Sequence, residues 1–180
     1  TDLAAGHEVW LREGSVAAAV RASISQPGLF APVEYDGRLL VDGSLVNPVP
    51  VSLARALGAD MVIAVDLGSD LISPRSRASQ TDANVPNGVS TRLGELLHSV
   101  IGTGSRRNTP SIVSVLTQSL SIMQVRIARS RLAGEPPDVL ITPELGHLGL
   151  LDYHRAAEAI AEGREAARLA LPTIRRKLQH

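Results

Sequence analysis

The sequence predicts an α/β protein in which a mostly parallel sheet lies between helices, as a three-layer sandwich. Candidate strands and helices alternate along the 180 residues, which is the order typical of parallel sheets with helical crossovers. The candidate strand "MVIAV" at 61–65 is apolar at every position. A strand of this kind is typical of a parallel sheet covered on both faces. We therefore expect 61–65 to be an interior strand.

Composition excludes several classes of protein. Apolar residues make up 44% of the chain, which is enough for a core without disulfides. The absence of cysteine excludes disulfides, thiolate metal sites and a cysteine nucleophile. Eighteen basic residues balance eighteen acidic ones, so we predict no nucleic-acid partner. No apolar run approaches the roughly 20 residues that cross a bilayer. A cytoplasmic location is the default expectation, and peripheral membrane contact stays open.

The first third of the chain carries three local signals of regular structure. "EVWL" at 8–11 is a candidate strand, and the alanine-rich 15–25 predicts a helix that Pro27 and Gly28 end. Asp36-Gly37 lies between two apolar segments, which is the usual pattern of a hairpin. This hairpin places Asp42 where its second strand ends.

Helix and strand signals continue through the rest of the chain, with one polar interruption. A helix is predicted from Pro50 to Gly58, and the polar stretch 69–110 is predicted to be a flexible loop or lid. "PDVLITPEL" predicts a further strand, and a charged helix follows from Asp152, which Pro172 should kink or interrupt.

The long segment that begins at 112 has apolar residues at helical spacing: Ile112, Leu116, Leu120, Met123 and Ile127. We expect this face to pack on the sheet. Arginines at 126, 129 and 131 keep an anionic membrane surface open as an alternative partner.

Asp42 is the candidate for chemistry. An Asp-Gly pair is most often a turn, in which glycine takes the unusual dihedral angles, and Asp36-Gly37 fits this well. Asp42-Gly43 fits it less well, because its flanks "LLV" and "LVNPVPV" are strongly apolar. Ligand sites in open α/β sheets lie beyond the carboxyl ends of the strands. Both readings, turn former and reactive carboxylate, remain open from the residues alone.

The segment 18–67, "AAVRASISQPGLFAPVEYDGRLLVDGSLVNPVPVSLARALGADMVIAVDL", resembles the bacterial patatin-like phospholipases, the group related to the neuropathy target esterase catalytic domain. "PDVLITPEL" and "LLDYHRAAEAIAEGREAA" resemble the closing segment of the same family. The resemblance implies a patatin-like fold and a lipid acyl hydrolase with a serine and an aspartate. Asp42 and Gly43 match the family motif D-G-[GA], with Asp42 as general base and Gly43 as support of its turn, whereas Ser44 departs from the third position.

The nucleophile implied by the resemblance is not found in the chain. A G-x-S-x-G elbow, which projects a nucleophilic serine from a strand-to-helix turn, occurs nowhere in the 180 residues. In the family it precedes the segment that matches Thr1. We therefore expect 1–180 to be the C-terminal part of a single patatin-like domain, incomplete at the N-terminus and inactive alone. Its partners would be the missing serine segment and a lipid or other ester substrate. The alternative is a noncatalytic fragment that completes a fold, dimerises or docks on a membrane.

Other polar residues have weaker claims. Ser23 and Ser25 lack an elbow, and we expect Ser44 to point away from Asp42, as neighbours along a strand end do. Asp66 follows a strand without a dinucleotide motif and is interpreted as a cap. The histidines at 7, 98, 147, 154 and 180 show no metal-ligand spacing. We predict no metal and no cofactor, and the residues do not indicate a substrate-binding set.

Overall fold

The computed structural model describes residues 1–68, 112–149 and 152–179. The predicted loop or lid at 69–110 lies outside these ranges. The described elements, in chain order, are α1 (Val16–Ser23), β1 (Val33–Tyr35), β2 (Arg38–Leu40), a 3-10 turn (Gly43–Leu45), α2 (Val51–Ala56), β3 (Ile63–Val65), α3 (Ile112–Gly134), β4 (Val139–Ile141), a second 3-10 turn (Tyr153–Arg155) and α4 (Ala156–Leu178).

The predicted hairpin is confirmed. Strands β1 and β2 pair antiparallel, with Val33 opposite Leu40. Asp36 and Gly37 between them have φ of 50° and 70°, the left-handed conformation that a two-residue hairpin turn requires. The first residues of the chain run along the other edge of β2, where the Leu3 N–H donates to the Leu39 carbonyl at 2.8 Å. Strand β2 is therefore held on both edges.

Both short helices form where the sequence predicts them. Ser15 caps α1 by accepting from the Ala18 N–H, and α2 follows Pro50 and ends before Gly58, whose φ is 92°. The strand predicted at 8–11 is wrong, because these residues form no ladder with any described strand. The Trp10 indole instead donates to the Glu8 carboxylate at 3.0 Å.

Strands β3 and β4 form a parallel pair in the register Ile63–Val139, Ala64–Leu140 and Val65–Ile141. Parallel partners direct their side chains to the same face, so Ala64 and Leu140 share one face of this sheet. Helix α3 contributes Ala128 to the core around Ala64, and α4 contacts β4. The α/β class is therefore confirmed, whereas the three-layer sandwich stays a prediction.

The expectation that 61–65 is buried on both faces is wrong for the described residues. Ile63 and Val65 are 44% and 49% exposed, whereas Val62 and Ala64 are buried. The physical reason is the one-sided packing of β3: its buried face meets the core residues Val49, Val51 and Ala128, and nothing described covers the other face to the same extent.

The packed face of α3 also differs from the predicted one. Leu116 and Met123 are 60% and 52% exposed, whereas Val125 and Ala128 are buried. Ala128 belongs to the core cluster around Val62 and Ala64, and this contact, not the spacing of the large apolar residues, sets the buried face. Periodicity therefore located the helix correctly and its buried face incorrectly.

Helix α4 continues through Pro172, so the predicted interruption is wrong, whereas the predicted kink stays a prediction. Proline removes one backbone hydrogen bond to the residue four positions earlier. Arg168 and Pro172 are both exposed, so water can hydrate the carbonyl that loses its partner. Among the described helices, none is long and apolar enough to cross a membrane.

Asp138 joins the two parallel strands to α2. Its Oδ2 accepts from the Val62 N–H at 2.8 Å and from Arg55 Nη2 at 2.7 Å. The Val62 hydrogen bond and then the Arg55 guanidinium lower the pKa of this carboxyl. A carboxyl with a lowered folded pKa stabilises the protein above its unfolded pKa, and this contribution is lost as pH falls through the folded value.

We therefore expect Asp138→Asn to lower the melting temperature at pH 7, with a deficit that shrinks as the medium is acidified below the ordinary range of aspartate. Thermal unfolding over a series of pH values measures this. Asp60→Asn is the control, since Asp60 is an exposed aspartate two residues before Val62. Equal effects of the two substitutions at every pH would contradict the role of Asp138.

Candidate functional site

Asp42 lies two residues beyond the end of β2 and is half-buried. Leu40 and Val41, which precede it, are 2% and 3% exposed, so the approach to Asp42 is anchored in the interior. The Asp42 N–H donates to the Ser25 carbonyl at 3.1 Å. This bond ties the strand end to the segment that follows α1.

The Asp42 carboxylate is held by the turn that it caps. Its Oδ1 accepts from the Ser44 N–H at 2.8 Å and from Ser44 Oγ at 2.6 Å. The expectation that Ser44 points away from Asp42 is therefore wrong. Residues 43–45 form a 3-10 turn and not an extended strand end, and a capping side chain folds forward over such a turn.

Helix α3 brings a third side chain to this group. Gln124 Nε2 donates to Ser44 Oγ at 2.7 Å across 80 positions of sequence. Gln124 was not among the predicted site residues. In the sequence, Gln124 is marked only by its position next to Val125, a residue that is buried in the structure. This position does not indicate that Gln124 contacts Ser44.

Gly43 has a different role from the one expected. Its φ is not among the positive values found in the described chain, so the turn does not require glycine. A Cβ at this position would meet Ser23 Oγ at 3.5 Å, an ordinary van der Waals contact. The backbone here can therefore accept a small side chain.

The structure does not present Ser25 as a nucleophile. Ser25 is 0% exposed, its Oγ accepts from Arg21 Nη1 at 2.6 Å, and it donates to the Arg21 carbonyl at 2.7 Å. Both hydrogen-bonding functions of the hydroxyl are thus engaged within one turn of chain. Ser23 is exposed and lies beside Gly43.

A second polar cluster, not anticipated from sequence, lies at the other end of the 3-10 turn. Asn47 is buried, and its Nδ2 donates to both Glu8 carboxylate oxygens, at 3.2 and 3.1 Å, and to Ser52 Oγ at 3.2 Å. An open groove of about 670 Å³ adjoins it. The groove is lined by Gly6, His7, Glu8, Trp10, Leu45, Val46, Ile127, Ser130 and Arg131.

The remaining polar candidates do not join Asp42. Asp66 is buried at the end of β3 and accepts from the Gly68 N–H at 2.9 Å, as expected for a cap. His147 pairs with Glu158 at 2.9 Å on the surface. Within residues 1–68, 112–149 and 152–179, no group of three His, Asp or Glu side chains is arranged to hold a metal ion.

Comparison with known proteins bears on the segment that builds this site. A family model described as patatin-like phospholipase matches residues 3–55, which include α1, the hairpin, Asp42 and all but the last residue of α2. An NTE family protein of Mycobacterium tuberculosis is 32% identical over 219 aligned positions that cover 95% of the chain. The chain is similar to the patatin-like phospholipase and NTE families. The resemblance noted from "RASISQPGLF" and "LLVDG" is thereby confirmed.

Two further relatives show how widely this patatin-like segment recurs. A second NTE family protein of Mycobacterium tuberculosis is 33% identical over 94% of the chain, which is 27% of that protein. The lysophospholipase NTE1 of Saccharomyces cerevisiae is 33% identical over 53% of the chain and 7% of its own length. The chain spans 61% of the first mycobacterial relative.

The conformation of Gly43 predicts a specific tolerance. We expect Gly43→Ala to leave the free energy of unfolding unchanged or to raise it by up to about 1 kcal/mol, because alanine restricts the unfolded chain and meets no clash. Gly37→Ala is the control, and its positive φ should lower that free energy by about 1 kcal/mol or more. Chemical denaturation measures both. A larger loss for Gly43→Ala than for Gly37→Ala would contradict the turn geometry.

Proposed function

We propose that the intact protein, meaning the polypeptide that carries residues 1–180 with any further segment, is a serine lipid acyl hydrolase. In it Asp42 acts as general base toward a nucleophilic serine that lies outside these residues. The substrate class is the carboxylic esters of lipids, including phospholipids. The match of residues 3–55 to the patatin-like phospholipase model and the lysophospholipase named among the relatives support the reaction class.

One observation carries the assignment of the base. Asp42 is a half-buried carboxylate, in the segment matched by the family model, whose hydrogen bonds in the described residues all fall on Oδ1. An aspartate that only caps a turn needs hydrogen bonds to one carboxylate oxygen and no more. A base also needs a second oxygen available to an incoming hydroxyl, and in the described residues no donor occupies Oδ2.

The chemistry follows from the weak acidity of a serine hydroxyl. Asp42 accepts the hydroxyl proton while the serine oxygen attacks the ester carbonyl carbon. The tetrahedral intermediate collapses, and the alcohol leaves with the proton from Asp42. Water then attacks the acyl-serine, gives a proton to Asp42 and releases the fatty acid. The serine recovers its proton in the last step, so Asp42 is regenerated as a carboxylate.

A second candidate function concerns residues 1–180 taken alone. The absence of G-x-S-x-G from the sequence and the half-exposed Ile63 and Val65 of β3 favour a segment that completes a fold. Under this alternative the exposed apolar face is a contact surface for further chain, and the 180 residues have no activity of their own. The two functions are compatible if the intact protein supplies the serine.

We expect Asp42→Asn to lower the turnover of the intact protein on a chromogenic carboxylic ester by a factor of about 10² or more, the low end of what general base catalysis contributes. Asparagine keeps the size and can still accept hydrogen bonds, so the melting temperature should change little. Steady-state kinetics with purified folded variants make the measurement.

Asp36→Asn is the matched control for this substitution. Asp36 is also an aspartate before glycine, but it lies in an exposed hairpin turn with φ of 50°, which asparagine tolerates well. Its turnover should equal that of the unmodified protein. Near-normal turnover of a folded Asp42→Asn variant would remove Asp42 from the mechanism.

We also expect a fluorophosphonate probe, which reacts with activated serines, to label the intact protein at a serine outside residues 1–180. Ser23, Ser25 and Ser44 should remain unlabelled, and a preparation of residues 1–180 should hydrolyse no ester. Peptide mapping by mass spectrometry locates the label. A label within residues 1–180 would identify a different nucleophile and overturn the proposed division of roles.

A further inference from the structure

A chain of donors ends on the Asp42 carboxylate. Gln124 Nε2 donates to Ser44 Oγ at 2.7 Å, and Ser44 Oγ donates to Asp42 Oδ1 at 2.6 Å. An ionised carboxylate only accepts, and the serine hydroxyl has one proton to give. The group on the far side of Ser44 must therefore be a donor, which the amide nitrogen of Gln124 is.

The consequence for Asp42 is a fixed orientation. Oδ1 receives two short hydrogen bonds, from the Ser44 N–H and from Ser44 Oγ, and both resist rotation of the carboxylate. Hydrogen bonds to a charged acceptor are about twice as strong as neutral ones. The second oxygen, Oδ2, is then held in one direction, which a general base needs because it must lie within hydrogen-bond reach of its proton.

Ser44 is the position at which the chain departs from the family motif. Glycine or alanine there would retain the backbone N–H bond to Asp42 and lose the hydroxyl bond. Gln124 lies beyond the residues that the family model matches, which end at 55. The hydroxyl bond and its support from α3 are therefore features of this chain and not of the motif itself.

We propose that Ser44 and Gln124 are positioning residues that hold the Asp42 carboxylate for catalysis, with Gln124 acting only through the Ser44 hydroxyl. This inference rests on the proposed function of Asp42. Ser44 is not assigned as the nucleophile, because it lies in a 3-10 turn and not in a strand-to-helix elbow, and its hydroxyl is engaged with Asp42 and Gln124.

In the intact protein, Ser44→Ala and Gln124→Met should each lower kcat by about tenfold, since a small misplacement of a catalytic group costs up to about 10²-fold in rate. KM should stay within about twofold, because both side chains act here on the orientation of the Asp42 carboxylate. The double variant should turn over no more slowly than Ser44→Ala alone. This non-additivity is the signature of two residues that act in series.

Two further variants separate positioning from a general structural effect. Ser44→Thr keeps the hydroxyl and should recover most of the kcat lost in Ser44→Ala. Gln118→Met makes the same chemical change at an exposed position of α3 and should leave kcat unchanged. Melting temperatures of all variants verify that each is folded.

The outcomes distinguish failure of this inference from failure of the proposed function. If Asp42→Asn loses turnover while Ser44→Ala and Gln124→Met retain it, the positioning role is wrong and Asp42 remains the base. An additive double variant, or a loss confined to KM, also overturns the positioning role. If Asp42→Asn retains turnover, the proposed function itself fails. Fluorophosphonate labelling of Ser44 would make Ser44 the nucleophile instead.

Discussion

Backbone pairing on both edges of β2 is the constraint on which the candidate site depends. One edge pairs with β1, and the other exchanges hydrogen bonds with Thr1 and Leu3, including the Val41 N–H to the Thr1 carbonyl at 2.9 Å. A short strand with one paired edge would fray at its end. Because both edges are paired and Leu40 and Val41 are buried, the position of the Asp42 backbone is fixed.

Three separate segments of the chain contribute residues to the candidate site. The turn after β2 supplies Asp42 and Ser44, the segment after α1 supplies the Ser25 carbonyl, and α3 supplies Gln124. Helix α3 also passes β3, since a side chain at Gly68 would meet Val125 Cγ2 at 3.3 Å. Helix α3 therefore contacts the residues that follow both β2 and β3. These contacts position Gln124 next to Ser44.

The parallel strand pair leaves part of its apolar surface exposed. Ile63 and Val65, on one face of β3, are about half exposed, although a parallel sheet ordinarily lies between helices. An apolar strand face of this kind stabilises a protein only when something covers it. The short strand β3 is nevertheless well defined, because its other face packs against α2 and α3 and Asp138 bonds the backbone at Val62.

Local signals in the sequence determined α1, the Asp36-Gly37 hairpin, α2 and the strand at 139–141, because caps, turn dihedrals and apolar runs act over a few residues. They also determined that Asp42 is the candidate carboxylate, through its place after an apolar strand and the family motif. Only the tertiary structure decided that Ser44 turns toward Asp42, that Gln124 reaches it from 80 positions away, and that Val125 and Ala128 form the packed face of α3. Contacts between distant segments decide these features, since the free energy of burying one helix face or one amide depends on what lies opposite it, and no local pattern encodes that partner.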